Sequence, residues 1–99
     1  MPEFVNAYSG MDSDRKLNYD ELVRAIRFFV AAEYEAVQMY TQLATSIDNE
    51  KAIAVLQEVA DEELVHAGEF LRLLKELAPK EERLYAQGSE EVERLWSNA

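Results

Sequence analysis

Glu63-Leu64-Val65-His66 places a carboxylate and an imidazole three residues apart within a run of helical periodicity. On a helix that spacing is ~4.5 Å along the axis and ~60° around it, so one face offers an oxygen and a nitrogen donor together. A second carboxylate, Glu33, sits in an earlier stretch, AEYEAVQMY. Carboxylates mixed with imidazole suit iron, manganese or zinc. His66 is the one histidine in 99 residues, so the chain has put its single imidazole beside an acid.

These residues need elements to position them. Residues 1–17 are aperiodic, with Pro2, Ser9 and Gly10, and read as a flexible lead-in. Residues 18–78 read as a two-helix hairpin. The first helix begins near Asn18, where Asn18 and Glu21 have the form of a capping box, and continues to about Ser46. Asp48 and Asn49 then punctuate the chain and can cap a second helix from about Glu50 to Ala78. Pro79 ends that helix or opens the C-terminal segment, 79–99. There Gly88 and Ser89 mark a break before a short helix, SEEVERLW, whose Trp96 is expected to cover part of the bundle end.

Each long helix carries one seam at alternating steps of three and four. In the first it runs Tyr19, Val23, Ile26, Val30, Glu33, Val37, Tyr40, Ala44, Ile47. In the second it runs Ala52, Leu56, Val59, Glu63, His66, Phe70, Leu73, Leu77. Glu33, Glu63 and His66 are the polar exceptions. In an antiparallel hairpin turning at Asp48, Glu33 and Glu63 are each fifteen residues from the turn and stand at one level. No Lys or Arg occupies either seam, so buried carboxylates there must be neutralised, paired or bound to a cation. The alternative is that Glu63 and His66 hydrogen-bond to each other with Glu33 at the bundle edge, a reading the shared level of Glu33 and Glu63 weighs against.

Composition limits the alternatives. The net charge of −10 disfavours nucleic acid, whose phosphates call for Lys and Arg. Without cysteine there is no disulfide, zinc ribbon, iron–sulfur cluster or thiol catalysis, and a cytoplasmic setting is allowed. No apolar run approaches the ~18 residues of a membrane span, and MPEFVNAYSG lacks the form of a signal peptide. Scarce Gly and Pro favour an all-α fold.

A hairpin this small cannot cover its own apolar stripes. Carboxylate-bridged di-iron bundles use a Glu from each of two helices and a Glu-x-x-His from each of two more, and this chain supplies half that set. Pairing about a twofold axis would complete both the core and the ligands.

The stretches AEYEAVQMY (32–40) and DEELVHAGEFLRLLKEL (61–77) resemble the encapsulated ferritins of the ferritin-like and rubrerythrin superfamily. The resemblance implies an antiparallel hairpin plus short C-terminal helix that completes a ferritin-like four-helix bundle on dimerisation. It implies a ferroxidase that oxidises Fe(II) with dioxygen at a di-iron centre between subunits, in iron storage or detoxification. Glu33, Glu63 and His66 match the metal ligands, Glu63 matching the bridging one, and Tyr40 matches a tyrosine beside the site. The implied assembly is a ring of dimers, a decamer, inside an encapsulin nanocompartment in the cytoplasm. Ala32 stands at one of two acidic positions of an outer metal site, of which Glu35 matches the other, and Met39 replaces a common tryptophan. No segment resembling an encapsulin-targeting peptide follows SEEVERLWSNA.

Other assignments compete. Tyr40 could serve as a core aromatic as well as a site residue. Glu58, Asp61, Glu62 and Glu69 read as a solvated acidic face, from which Glu62 or Glu69 could guide iron inward; Glu62 could also pair with His66 across one turn. Met39 lies off the seam, which disfavours a haem ligand. A rubrerythrin-like peroxide reductase and a non-enzymatic helical scaffold are the alternative functions.

Overall fold

The computed structural model describes residues 15–98, which form three α-helices and no strand: α1 (Tyr19–Ala44), α2 (Glu50–Leu77) and α3 (Pro79–Ser97). Residues 1–14, most of the expected lead-in, lie outside the described residues.

Helix α1 begins where the sequence predicts. Asn18 has an extended backbone, and its Oδ1 accepts the Glu21 N–H at 2.9 Å while a Glu21 carboxylate oxygen accepts the Asn18 N–H at 3.0 Å. Arg15 grips both oxygens of the same carboxylate at 2.7 and 2.6 Å. That bidentate pair, with the Asn18 N–H, holds the Glu21 carboxyl down at about 2. One acid thus both caps the helix and fastens the residues before it.

The helix closes at Ala44, slightly before the expected Ser46. The Thr45 and Ser46 hydroxyls donate back to the Gln42 carbonyl at 3.0 and 2.7 Å, local bonds that compete with further helix. Asn49 rather than Asp48 caps α2, its side chain accepting the Ala52 N–H at 3.0 Å.

Helices α1 and α2 pack as the predicted hairpin. At its open end the Tyr19 hydroxyl donates to the Leu77 carbonyl, satisfying an acceptor in the last turn of α2 that the helix itself leaves unpaired. On α1 the buried residues are Val23, Ile26, Val30 and Ala44, all on the predicted seam. On α2 they are Ala60, Ala67 and Leu74, one residue beyond the predicted Val59, His66 and Leu73. The positions shared by both seams, Leu56, Glu63, Phe70 and Leu77, are half-buried. Small alanines bring the backbones together along one edge of the α2 stripe. The other edge, with Leu73, turns to an open apolar face that also includes Val65.

Pro79 does both things its position allows. Ala78 leaves helical geometry with φ −134° and ψ 70°, and Pro79 opens α3 at its first turn, where a missing N–H costs nothing. The predicted break at Gly88 and Ser89 is absent: α3 runs unbroken through both. Gly88 lies amid strong helix formers, and their propensity outweighs one glycine's backbone entropy. Nor does Trp96 cover an end of the hairpin, being 66% exposed. No residue of α3 is buried.

A clasp sets the departure of α3. Arg27 of α1 donates to a Glu81 carboxylate oxygen at 2.9 and 2.5 Å, and the Tyr85 hydroxyl donates to the other oxygen. Arg27, then Tyr85, hold the Glu81 carboxyl below its ordinary 4.5 against the opposing pull of burial. A carboxyl lowered on folding stabilises the fold above its ordinary value, and the contribution disappears as acid protonates the folded form. Arg27→Met should therefore speed amide exchange in the first turn of α3 at pH 7, and the difference from the parent should close as Glu81 protonates. Because nothing lies within 4 Å of a Cβ built on Gly88, Gly88→Ala should stabilise α3. The expected gain is about 0.5–1 kcal/mol, read by thermal melting of helical circular dichroism.

Candidate metal centre

The hairpin brings the three predicted ligands together. Glu33 comes from α1, and Glu63 and His66 from successive turns of α2. His66 Nδ1 stands 3.7 Å from Glu33 Oε2 and 3.8 Å from Glu63 Oε1. One donor atom from each residue falls within 4.8 Å of the others. These separations are too long for hydrogen bonds. They are of the order expected of donors bound to a common ion at ~2.1 Å, which stand roughly 3–4 Å apart.

The electrostatics fit a cation. Glu33 Oε2 is buried and has no hydrogen-bond partner among the described residues. The side chains of Glu33 and Glu63 are 16% and 19% exposed, and that of His66 is 47% exposed. Burial pushes the Glu33 carboxyl up, the nearby Glu63 carboxyl pushes it further, and His66 offsets part of this. Ion pairs of the described arginines run elsewhere, from Arg15 to Glu21, Arg27 to Glu81 and Arg72 to Glu76. Two carboxylates and an imidazole with an orphaned buried oxygen are a donor set suited to a divalent metal.

The half-exposed His66 corrects the expectation of a core histidine. It lies on the edge of the α2 stripe that turns away from α1, a result of the one-residue rotation of the buried seam. Beside it opens a cleft of about 350 Å³ lined by Glu33, His66, Glu69 and Phe70. The Phe70 ring is tilted by 50° on Phe29 at a centroid distance of 5.4 Å, which gives the cleft an apolar wall.

Glu69, which the sequence placed on a solvated acidic face with Glu62 or Glu69 able to guide iron inward, is the one of those two that lines the cleft. Its position three residues beyond His66 was the available signal. Tyr40 is half-buried on α1, ~10 Å along the axis from Glu33, and does not line the cleft. Glu62 and Met39 are exposed.

The family described as Rubrerythrin matches residues 7–96. The encapsulin nanocompartment cargo protein EncC of Myxococcus xanthus is 41% identical over 81 residues, 82% of this chain and 62% of that protein. A ferritin-like-encapsulin shell fusion protein of Pyrococcus furiosus is 34% identical over 85 residues, 86% of this chain and 25% of that protein. The chain thus spans less than two thirds of the length of either relative. The crystal structure of the encapsulated ferritin domain from Pyrococcus furiosus superposes with a TM-score of 0.82 at 33% identity, covering 88% of this chain and 89% of that one. With its all-α hairpin and Glu-x-x-His helix, the chain belongs to the rubrerythrin family of ferritin-like domains.

Proposed function

We propose that this protein is a ferroxidase, taking Fe(II) as substrate and oxidising it to Fe(III) with dioxygen at a di-iron site shared by two copies of the chain. The observation that carries the reading is the buried, unpartnered Glu33 Oε2 within a group of three metal donors. A carboxylate oxygen kept dry without a proton donor is unfavourable unless a cation comes to it.

Three donors per chain are too few for two metals, and an open apolar face beside them supports a second copy as the source of the rest. Phe29 is 44% exposed and Val65 64% exposed, an unfavourable surface for a chain this small. A twofold pairing would bury that surface and bring in a second Glu33, Glu63 and His66. Glu33 and Glu63 would hold the iron through their carboxylates, Glu63 matching the family's bridging position, and His66 would hold it through a neutral ring nitrogen. When bound, the metal pair would supply the redox chemistry: two Fe(II) together would give two electrons to one dioxygen, which with two protons from water would leave as hydrogen peroxide. The apolar wall at Phe70 lowers the local dielectric beside Glu33, which strengthens the hold of its carboxylate on a cation. Tyr40, on the same seam as Glu33, is assigned a supporting role as hydrogen-bond donor or one-electron donor.

The names of the relatives support a setting. One is a nanocompartment cargo protein and another a fusion with an encapsulin shell. By this reading the chain works inside an encapsulin shell, as a ring of dimers, and hands Fe(III) to storage.

Anaerobic titration with Fe(II), followed by air, tests the proposal. Uptake of two irons per dimer, with an absorbance rise on aeration and a matching rise in oligomer mass, is the expected result. No stoichiometric uptake, or uptake unaffected by Glu63→Ala, would overturn it. Aeration against peroxide in parallel separates a ferroxidase from a peroxide reductase. Glu33→Gln supplies an independent check. A carboxyl raised on folding destabilises the metal-free protein once the pH exceeds its ordinary 4.5. The variant should therefore be more stable than the metal-free parent at pH 7 by about 1 kcal/mol. That gap should close toward pH 4.5, and the order should reverse when metal is added to both proteins, as read by urea unfolding.

A further inference from the structure

The cleft has a fourth chemical group that the ligand set leaves unused. Glu69 lines it together with Glu33 and His66, while Glu62, one heptad earlier on the same helix, does not. Glu69 is exposed and Glu33 is largely buried, so the cleft wall carries one carboxylate at the water and another mostly withdrawn from it. His66 lies between them in sequence and lines the same wall, one helical turn from Glu69. Phe70 contributes an apolar surface that offers an ion no competing ligand.

A hydrated divalent cation sheds water stepwise, and each step is easier when a carboxylate replaces the lost ligand. A single exposed acid at the mouth of a low-dielectric cleft also concentrates cations there and raises their rate of arrival. We propose that Glu69 is a transit ligand, which takes the hydrated metal ion at the cleft mouth and passes it to Glu33, Glu63 and His66 without remaining bound to it. This rests on the iron-handling reading above and adds to it the residue that sets the rate of loading.

Anaerobic mixing with cobalt(II), which stays divalent and reports its ligands by visible absorption, tests the proposal without any turnover. The full chain and Glu69→Gln are compared for the rate at which the bound-cobalt bands appear and for their final intensity. Roughly tenfold slower uptake in Glu69→Gln at low cobalt concentration, with the same final intensity, is expected. Glu69→Asp, which keeps the charge, should restore most of the rate. Glu62→Gln, which alters the acidic surface outside the cleft, should load like the parent. An unchanged rate in Glu69→Gln overturns the proposal. So does a lower final intensity, which would make Glu69 a permanent ligand, or equal slowing in Glu62→Gln, which would reduce the effect to general surface charge. Slow loading in Glu69→Asp overturns it as well, since charge would not be the cause. A parent that takes up no cobalt removes the metal-binding reading itself, whereas failure of the Glu69 variants alone removes only the transit role.

Discussion

Two acids and one imidazole at a helix–helix contact, with no ammonium or guanidinium among the described residues to neutralise them, form the constraint around which the rest of this structure is arranged. Burying a carboxylate is unfavourable, and burying two within a few ångströms of each other is more so. The unfavourable side chain is Glu33, whose buried Oε2 has no hydrogen-bond donor among the described residues. A fold tolerates such a defect when the rest of it over-determines the position. Here the capping box at Asn18, the Asn49 cap, the Tyr19–Leu77 bond and the alanine contacts of α2 all fix the hairpin independently of the acids.

The second theme is incompleteness. Helix α2 has an apolar stripe too wide for one neighbour: Ala60, Ala67 and Leu74 meet α1, while Leu73, on the far edge, remains 41% exposed. His66 stands on that same far edge. The boundary between what the chain buries by itself and what it leaves open therefore passes through the donor group. Helix α3 repeats the pattern at larger scale, with Leu84, Val92 and Leu95 exposed along one amphipathic helix.

Much of this was legible in the sequence. Both long helices announced their starts through Asn18 and Asn49, because side-chain capping is local chemistry. Glu33, Glu63 and His66 stood out because they interrupt otherwise apolar seams at one level of a hairpin. What the pattern did not reveal was which edge of the α2 stripe meets α1. Val59 and Leu73 outrank Ala60 and Leu74 as a pair by hydrophobicity, whereas close helix packing rewards the small side chain. Gly88 misled for a related reason, since a local breaker signal cannot weigh the helix formers on either side. The sequence could not choose between Glu62 and Glu69 as the acid nearer the donors, because a cleft wall arises from the relative rotation of two helices and not from the composition of either.

The equal distance of Glu33 and Glu63 from the Asp48 turn has a consequence for how such a hairpin can change in length. Each residue added between a ligand and the turn swings that ligand by ~100° and raises it by ~1.5 Å, so a single insertion would turn a donor out of the interior. Seven residues added to both arms at once would bring every donor back to within ~20° of its starting direction. The arms can grow or shrink in paired heptads, while beyond the ligands, toward α3, length is held by the apolar seam and by the Tyr19–Leu77 and Arg27–Glu81 contacts.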